Sequence, residues 1–173
     1  MKPPMRELAT DSATPARRRA GARNVGPLAE DVMRVRVSYR DTDQMGLVYY
    51  ANYLVYFEMA RTELLRGLGR TYRECEEMGV FVPVVEAACR YHAPARYDDW
   101  IEVRARVTRW TQVALDFAYE CRRGGPDGDL LATGATRHAF TNREGRVIRA
   151  GGRILPKSAG ARREGRDESP SIR

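Results

Sequence analysis

The sequence contains no hydrophobic run of the roughly 20 residues that a membrane-spanning helix needs, so no membrane span is predicted. Its three cysteines, Cys75, Cys89 and Cys121, are an odd number and lack the spacing of metal ligands. Neither a disulfide framework nor a zinc site is therefore predicted. Residues 1–30 also lack the apolar segment of a secretory signal. Together these absences predict a protein of the reducing cytoplasm.

A large basic surface on the folded part is lacking as well, although the formal net charge is +7. Residues 1–30 contain six Lys or Arg against three Asp or Glu, and residues 156–173 contain five against three. Residues 31–155 therefore keep a surplus of only +2, from 19 basic and 17 acidic residues. Nucleic-acid binding is not predicted for this part, because such domains concentrate positive charge on one face.

The two terminal segments are rich in Ala, Arg, Gly, Ser and Pro and show no apolar periodicity. We predict a disordered N-terminal extension over residues 1–30 and a disordered C-terminal tail over residues 156–173. The remaining residues, 31–155, are enough for one domain with a sizeable core.

The central part, residues 31–155, shows strong apolar periodicity. Residues 33–39, MRVRVSY, alternate apolar and polar side chains, which predicts a half-buried strand. From Asn52, apolar residues recur at helical spacing until Gly67 and Gly69, which predicts one long helix. A short second helix is expected over residues 71–79. Later segments alternate again and are separated by turn sequences such as GGPDGD and NREG, with strands expected within residues 81–92, 100–110, 112–122 and 130–142.

This order of elements predicts an α+β domain in which a curved antiparallel sheet of a first strand and four or five later ones wraps around one long central helix. A second hydrophobic helix that could cover another face of the sheet is not predicted. Such a sheet leaves an edge strand and part of the helix uncovered, so we expect at least a dimer.

The junction between the first strand and the helix, residues 39–61, reads YRDTDQMGLVYYANYLVYFEMAR. Two carboxylates and a glycine at such a place also fit a simple surface turn. The full string, from Asp41-Thr42-Asp43 through Gly46 and residues 48–53 to Glu58 and Arg61, resembles the hotdog-fold acyl-CoA thioesterases. The similarity is to the 4-hydroxybenzoyl-CoA thioesterase and YbgC-like family, and with the strand order it extends over about residues 31–155.

The resemblance implies a homodimer or homotetramer that hydrolyses a coenzyme A thioester without a metal ion or an organic cofactor. It assigns catalysis to Asp43 and to the helix start, where the backbone N–H of Tyr50 polarises the thioester carbonyl. Many YbgC-like proteins have His at this position and the hydroxybenzoyl type has Tyr, so Asp43 is expected to act without a histidine. The substrate-binding positions that the resemblance implies are Gly46, Val48, Tyr49, Asn52 and Glu58.

Physical chemistry is compatible with these roles but leaves alternatives open. A carboxylate such as Asp43 can act either as general base towards water or as nucleophile. Considered alone, Asp41 fits a structural turn, Asn52 a cap or buried anchor, and Glu58 an ion pair with Arg61. The phosphates of coenzyme A have three candidate partners that the spacing does not distinguish: Arg90, Arg96 and Arg137.

Other functions are compatible with the same fold. A hotdog dehydratase needs a histidine paired with a carboxylate, and neither His92 nor His138 is expected near the helix start. The alternative function is a non-catalytic acyl-CoA-binding or regulatory module, which would need the same pocket. Asp43 distinguishes this module from an enzyme, because a binding protein has no need of a carboxylate against a thioester. The identity of the acyl group is not specified by the sequence.

Overall fold

The computed structural model describes residue 25 and residues 28–154, which form one five-stranded sheet and two helices. The strands are β1 (Glu30–Arg36), β2 (Val84–Tyr91), β3 (Trp100–Trp110), β4 (Ala114–Arg123) and β5 (Leu130–Ala139). The helices are α1 (Asn52–Gly67) and the short α2 (Tyr72–Glu77). The predicted C-terminal tail lies outside the described residues, and so does the predicted N-terminal extension except for residues 25 and 28–30.

All strand pairs are antiparallel, and the order across the sheet is β1-β3-β4-β5-β2. Along β3 and β4, buried residues alternate with half-buried or exposed ones, because one face of the sheet packs on α1 and the other meets solvent. The predicted α+β architecture, an antiparallel sheet around one long helix, is confirmed. Four strands follow the helix, and after β5 the described chain adds only isolated bridges, from Thr141 to Phe81 and to Val147.

The first strand differs from its predicted bounds at both ends. It begins at Glu30, one residue before the predicted start of the domain, and ends at Arg36. Tyr39, which the alternation placed on this strand, lies instead in a 3-10 turn over Tyr39–Asp41. The Asp41 carboxylate accepts a hydrogen bond from the Ser38 N–H at 3.2 Å, and this local bond turns the chain away from the sheet.

Helix α1 lies very close to the sheet at one point. The Phe57 ring stacks on the Tyr119 ring, with centroids 4.5 Å apart and planes 9° apart. Phe57 also faces Gly134 of β5, where an added Cβ would overlap the ring. The absence of a side chain at Gly134 therefore allows helix α1 to pack this close to the sheet.

The β2 edge of the sheet is open. Pro83 precedes β2, whose register with β5 shifts between Val84 and Glu86, as expected for an irregular edge strand. Every residue of β2 is exposed except Cys89, which is half-buried, and the Val85 side chain is 58% exposed. Helix α1 covers β1 and β3 more than β2, so this edge is left with exposed apolar side chains. Among the described residues, neither helix has the length and hydrophobicity to cross a membrane.

Candidate active site

Asp41 links the segment between β1 and helix α1 to the helix through hydrogen bonds. Its backbone carbonyl accepts hydrogen bonds from the Asn52 side-chain amide and from the Tyr49 N–H, both at 2.8 Å. Its carboxylate accepts one from the hydroxyl of Tyr56 at 3.0 Å. Both the backbone carbonyl and the carboxylate of Asp41 thus have hydrogen-bond partners within the protein, which agrees with the predicted structural role of Asp41 in the turn.

Asp43 opens a tight turn that ends at Gly46. The Gly46 N–H donates to the Asp43 carbonyl at 2.9 Å, and the Asp43 N–H donates to the Leu47 carbonyl at 2.9 Å. Gly46 has a φ of +71°, a conformation that residues with a Cβ seldom adopt. The Asp43 carboxylate accepts the Met45 N–H through Oδ1 at 2.9 Å, and Oδ2 has no hydrogen-bond partner among the described residues. Asp43 is half-buried, so one carboxylate oxygen is available to a ligand.

The start of α1 lies directly after this turn. The Asn52 N–H donates to the Tyr49 carbonyl at 2.9 Å, and the Tyr50 carbonyl accepts the hydroxyl of Tyr91 at 3.0 Å. Within the part of the chain that the structure describes, the Tyr50 N–H donates to no acceptor. A free N–H at the start of a 16-residue helix is suited to an oxygen that carries negative charge.

An apolar cavity of about 300 Å³ opens beside the helix start. The rings of Tyr53 and Tyr91 meet edge to face in its wall, with centroids 5.4 Å apart. Burial is the main cause that raises the pKa of both phenols to about 12, so both stay protonated at neutral pH. The cavity can therefore receive an apolar or aromatic group, and its two buried phenols offer no charge to it. Its lining residues are Leu47, Val48, Tyr50, Tyr53, Tyr91, His92, Ala93 and Pro94.

The structure places the predicted site residues in two groups. Asp43 and Gly46 form the turn, and Val48 and Tyr50 lead from it into the cavity wall. Tyr49 is 43% exposed and packs on the Tyr50 ring outside the cavity, with centroids 4.4 Å apart.

Two further predicted positions do not reach the cavity. The Asn52 side-chain amide donates a hydrogen bond to the Asp41 carbonyl and not into the cavity. Glu58 is exposed on α1, and its carbonyl accepts the Thr62 hydroxyl at 2.8 Å. No ion pair joins Glu58 to Arg61 among the described residues.

Six of the eight lining residues lie beyond the predicted site, and three of them, Tyr53, Tyr91 and His92, carry polar groups. Tyr53 was predicted as part of the apolar helix face, and Tyr91 as a strand residue. The expectation that His92 lies away from the helix start is wrong, because β2 ends beside α1 and brings His92 into the cavity wall. The Nε2 atom of His92 lies 3.0 Å from the Thr133 hydroxyl. Among the described residues, His92 therefore pairs with a hydroxyl and not with the carboxylate that a dehydratase needs. Local periodicity could not reveal these positions, since they depend on where β2 ends relative to α1.

The chain is similar in sequence and in fold to known thioesterases. A family model described as the Thioesterase-like superfamily matches residues 37–167. The chain is 34% identical over 110 residues to the putative acyl-CoA thioesterase YneP of Bacillus subtilis, covering 64% of this chain and 78% of YneP. It is 39% identical over 83 residues to the acyl-CoA thioester hydrolase YbgC of Escherichia coli, covering 48% of this chain and 62% of YbgC. The solved DHNA-CoA thioesterase from Staphylococcus aureus has a TM-score of 0.66 and 26% identity, covering 70% of this chain and 80% of that chain.

Proposed function

The chain belongs to the thioesterase-like superfamily, and from this premise we propose that it hydrolyses the thioester bond of an acyl- or aroyl-coenzyme A to a free acid and coenzyme A. The family confirms the predicted hotdog fold. The observation that carries the proposal is the position of an available carboxylate oxygen on Asp43, close in the chain to the free N–H of Tyr50. An attacking group and a donor for the carbonyl oxygen are the two parts that thioester hydrolysis needs.

The reaction follows from these two groups. The thioester carbonyl oxygen gains negative charge during attack, and the Tyr50 N–H stabilises that charge. One such donor contributes about 3 kcal/mol to transition-state stabilisation. Asp43 either removes a proton from the attacking water or attacks the carbonyl itself to form a mixed anhydride that water then opens. The C–S bond breaks and coenzyme A leaves as a thiolate, a good leaving group that needs no strong general acid.

The apolar cavity suits the acyl group of the substrate. Its wall of tyrosine rings and small apolar side chains accepts aromatic and aliphatic groups alike. Because the cavity is open on one side of a single protomer, the substrate range depends on what closes it.

The open β2 edge supports a homodimer in which a second copy closes the cavity. A β2 strand with exposed Val85 and Tyr91 side chains can pair with the β2 strand of another protomer and extend the sheet. Exposed apolar residues of α1, namely Leu54, Val55 and Met59, provide further surface. Two such dimers would form a homotetramer. The free state of all three cysteines supports a cytoplasmic location.

The test is hydrolysis of a panel of acyl- and aroyl-coenzyme A thioesters, followed through the release of free thiol. Asp43→Asn should lower kcat roughly 10²- to 10⁴-fold on the best substrate, because it removes the charge needed by a base or a nucleophile. Asp41→Asn is the matched variant and should lower stability more than kcat.

The outcomes separate the proposal from its alternative. Binding of coenzyme A thioesters without hydrolysis by the wild-type chain would favour the acyl-CoA-binding module. If Asp41→Asn lost activity and Asp43→Asn did not, the catalytic assignment would be reversed.

A further inference from the structure

One cationic side chain lies next to the turn of the proposed active site. A Cβ placed on Gly46 would lie 3.9 Å from Nη1 of Arg96, so the guanidinium group of Arg96 stands directly beside this turn. The two segments are joined by the backbone, since the Val48 N–H donates to the Ala95 carbonyl at 2.8 Å. Arg96 is exposed, and its guanidinium has no ion pair among the described residues.

The two acidic residues that follow Arg96 closely in the chain are paired with other arginines. Asp98 binds Arg36 at 3.1 Å. Asp99 forms an ion pair with Arg123 and contacts Arg96 through the Arg96 backbone N–H, at 2.8 Å. The positive charge of Arg96 is therefore available to an anion from solution.

The other two candidate arginines lie on strands β5 and β2 of the sheet and not beside the turn. Arg137 binds Glu86 at 2.8 Å and also lies 3.5 Å from Asp116, so its charge is compensated. Arg90 is opposite Thr133 in the β2–β5 register, and the pair Ala88–Ala135 separates it from the pair Glu86–Arg137. The structure thus distinguishes three arginines that the sequence could not.

A short surface leads away from Arg96. The rings of Tyr39 and Tyr97 meet edge to face with centroids 5.8 Å apart, and they are 79% and 58% exposed. The Arg40 side chain beside Tyr39 is 89% exposed and forms a long ion pair with the Asp41 carboxylate at 3.8 Å, a contact that solvent weakens. Two exposed cations next to two exposed aromatic rings form a combination that fits a nucleotide, whose phosphates and base they can bind.

We propose that Arg96, assisted by Arg40, binds the phosphate groups of the coenzyme A moiety, and that Tyr39 and Tyr97 provide the stacking surface for its adenine. This inference rests on the proposed function, because it names where the nucleotide end of that substrate lies. Gly46 has no side chain, and among the described residues Arg96 Nη1 is the only atom beyond its chain neighbours within 4 Å of where a Cβ would lie, so the turn leaves room for a passage beside Arg96. The acyl group then occupies the cavity, and the pantetheine arm crosses the turn at Gly46.

Binding measurements test this inference without any need for turnover. Coenzyme A and pantetheine, which lacks the nucleotide and its phosphates, are titrated calorimetrically into the wild-type chain, Arg96→Gln and the matched control Arg90→Gln. We expect Arg96→Gln to weaken coenzyme A binding about tenfold or more, since charge-assisted hydrogen bonds to phosphate are lost. Pantetheine binding should not change, and Arg90→Gln should behave like the wild type.

A kinetic measurement adds an independent readout. On the best thioester of the panel, Arg96→Gln should raise KM with kcat unchanged, and on the same acyl group attached to pantetheine it should leave both unchanged. Equal coenzyme A affinity of Arg96→Gln and wild type would overturn the inference, and so would an equal loss in Arg90→Gln. If the wild type binds coenzyme A through Arg96 but hydrolyses nothing, the inference holds and the proposed function fails.

Discussion

The hydroxyl of Tyr56 donates a hydrogen bond to the carboxylate of Asp41 at 3.0 Å, and this bond links helix α1 to the turn that carries Asp43. Tyr56 is only 3% exposed. Burial and the adjacent Asp41 carboxylate both raise the pKa of Tyr56 well above its usual range, so the phenol remains a donor. The turn is therefore stabilised by a hydrogen bond from a buried side chain as well as by its own backbone hydrogen bonds.

Tyr56→Phe should lower the free energy of unfolding by about 1–2 kcal/mol, because one acceptor of a buried pair loses its donor. It should also lower kcat, since Asp43 is then held less firmly. Urea unfolding and steady-state hydrolysis measure the two effects. Tyr119→Phe is the control: its buried hydroxyl lies 2.7 Å from the Thr136 hydroxyl, so stability should fall while kcat does not. A loss of stability without a change in kcat for Tyr56→Phe would contradict the linkage.

Gly46→Ala should lower both stability and activity. The φ of +71° costs an alanine about 1–2 kcal/mol, and the added methyl group enters the passage beside Arg96. Gly145→Ala is a matched control, because Gly145 has a φ of +76° and open space around it in a turn after β5. Both variants should lose similar melting temperature, and only Gly46→Ala should lose kcat/KM. Equal activities of the two variants would argue against a passage at Gly46.

Val85→Lys should convert the proposed dimer into a monomer. A lysine at the open β2 edge places like charges opposite each other across the expected strand pair. Light scattering at micromolar concentration measures the mass. Val147→Lys, at a position with a comparable 61% exposure in the segment after β5, should leave the mass unchanged. A wild-type chain that is already monomeric would rule out the shared cavity.

The buried His138 should make stability fall in mild acid. Burial is the main cause that lowers its pKa from 6.5 to about 4. Above pH 6.5 the imidazole is neutral in both states, whereas below it the unfolded chain binds a proton that the folded chain does not. Stability should thus fall between pH 6.5 and about 4, by roughly 3 kcal/mol at most. Urea unfolding across this range should show a weaker pH dependence for His138→Gln than for the wild type.

The main elements were predictable because periodicity records which face is buried. Helix α1 begins at Asn52 and β3 spans Trp100–Trp110, as the spacing predicts. The turn at Tyr39 was not predictable, because the apolar and polar residues continue to alternate through Tyr39. The hydrogen bond between Ser38 and Asp41 overrides this alternation. Such a side-chain bond leaves no periodic trace in the sequence.

The site was predictable only where it is continuous in sequence. Asp43, Gly46 and Tyr50 lie in one motif, so their proximity follows from the chain. The approach of Tyr91 to Tyr50 and of Arg96 to Gly46 joins segments that are far apart in sequence, and it depends on how the end of β2 passes α1. Neither segment carries a pattern that specifies its partner.

The strand order β1-β3-β4-β5-β2 has a consequence for how the chain folds. The three central strands are joined by short hairpin connections, with Trp110 opposite Leu115 in one and Arg122 opposite Leu130 in the other. The edge strands are closed over long loops, since Glu30 pairs with Arg106 and Val84 with His138. Long closures cost more chain entropy and form later, so β3, β4 and β5 should nucleate and the two edges should add afterwards. The β2 edge, which carries Tyr91 to the helix start, should then acquire its protection from amide hydrogen exchange last, and in the proposed dimer only once the second chain covers it.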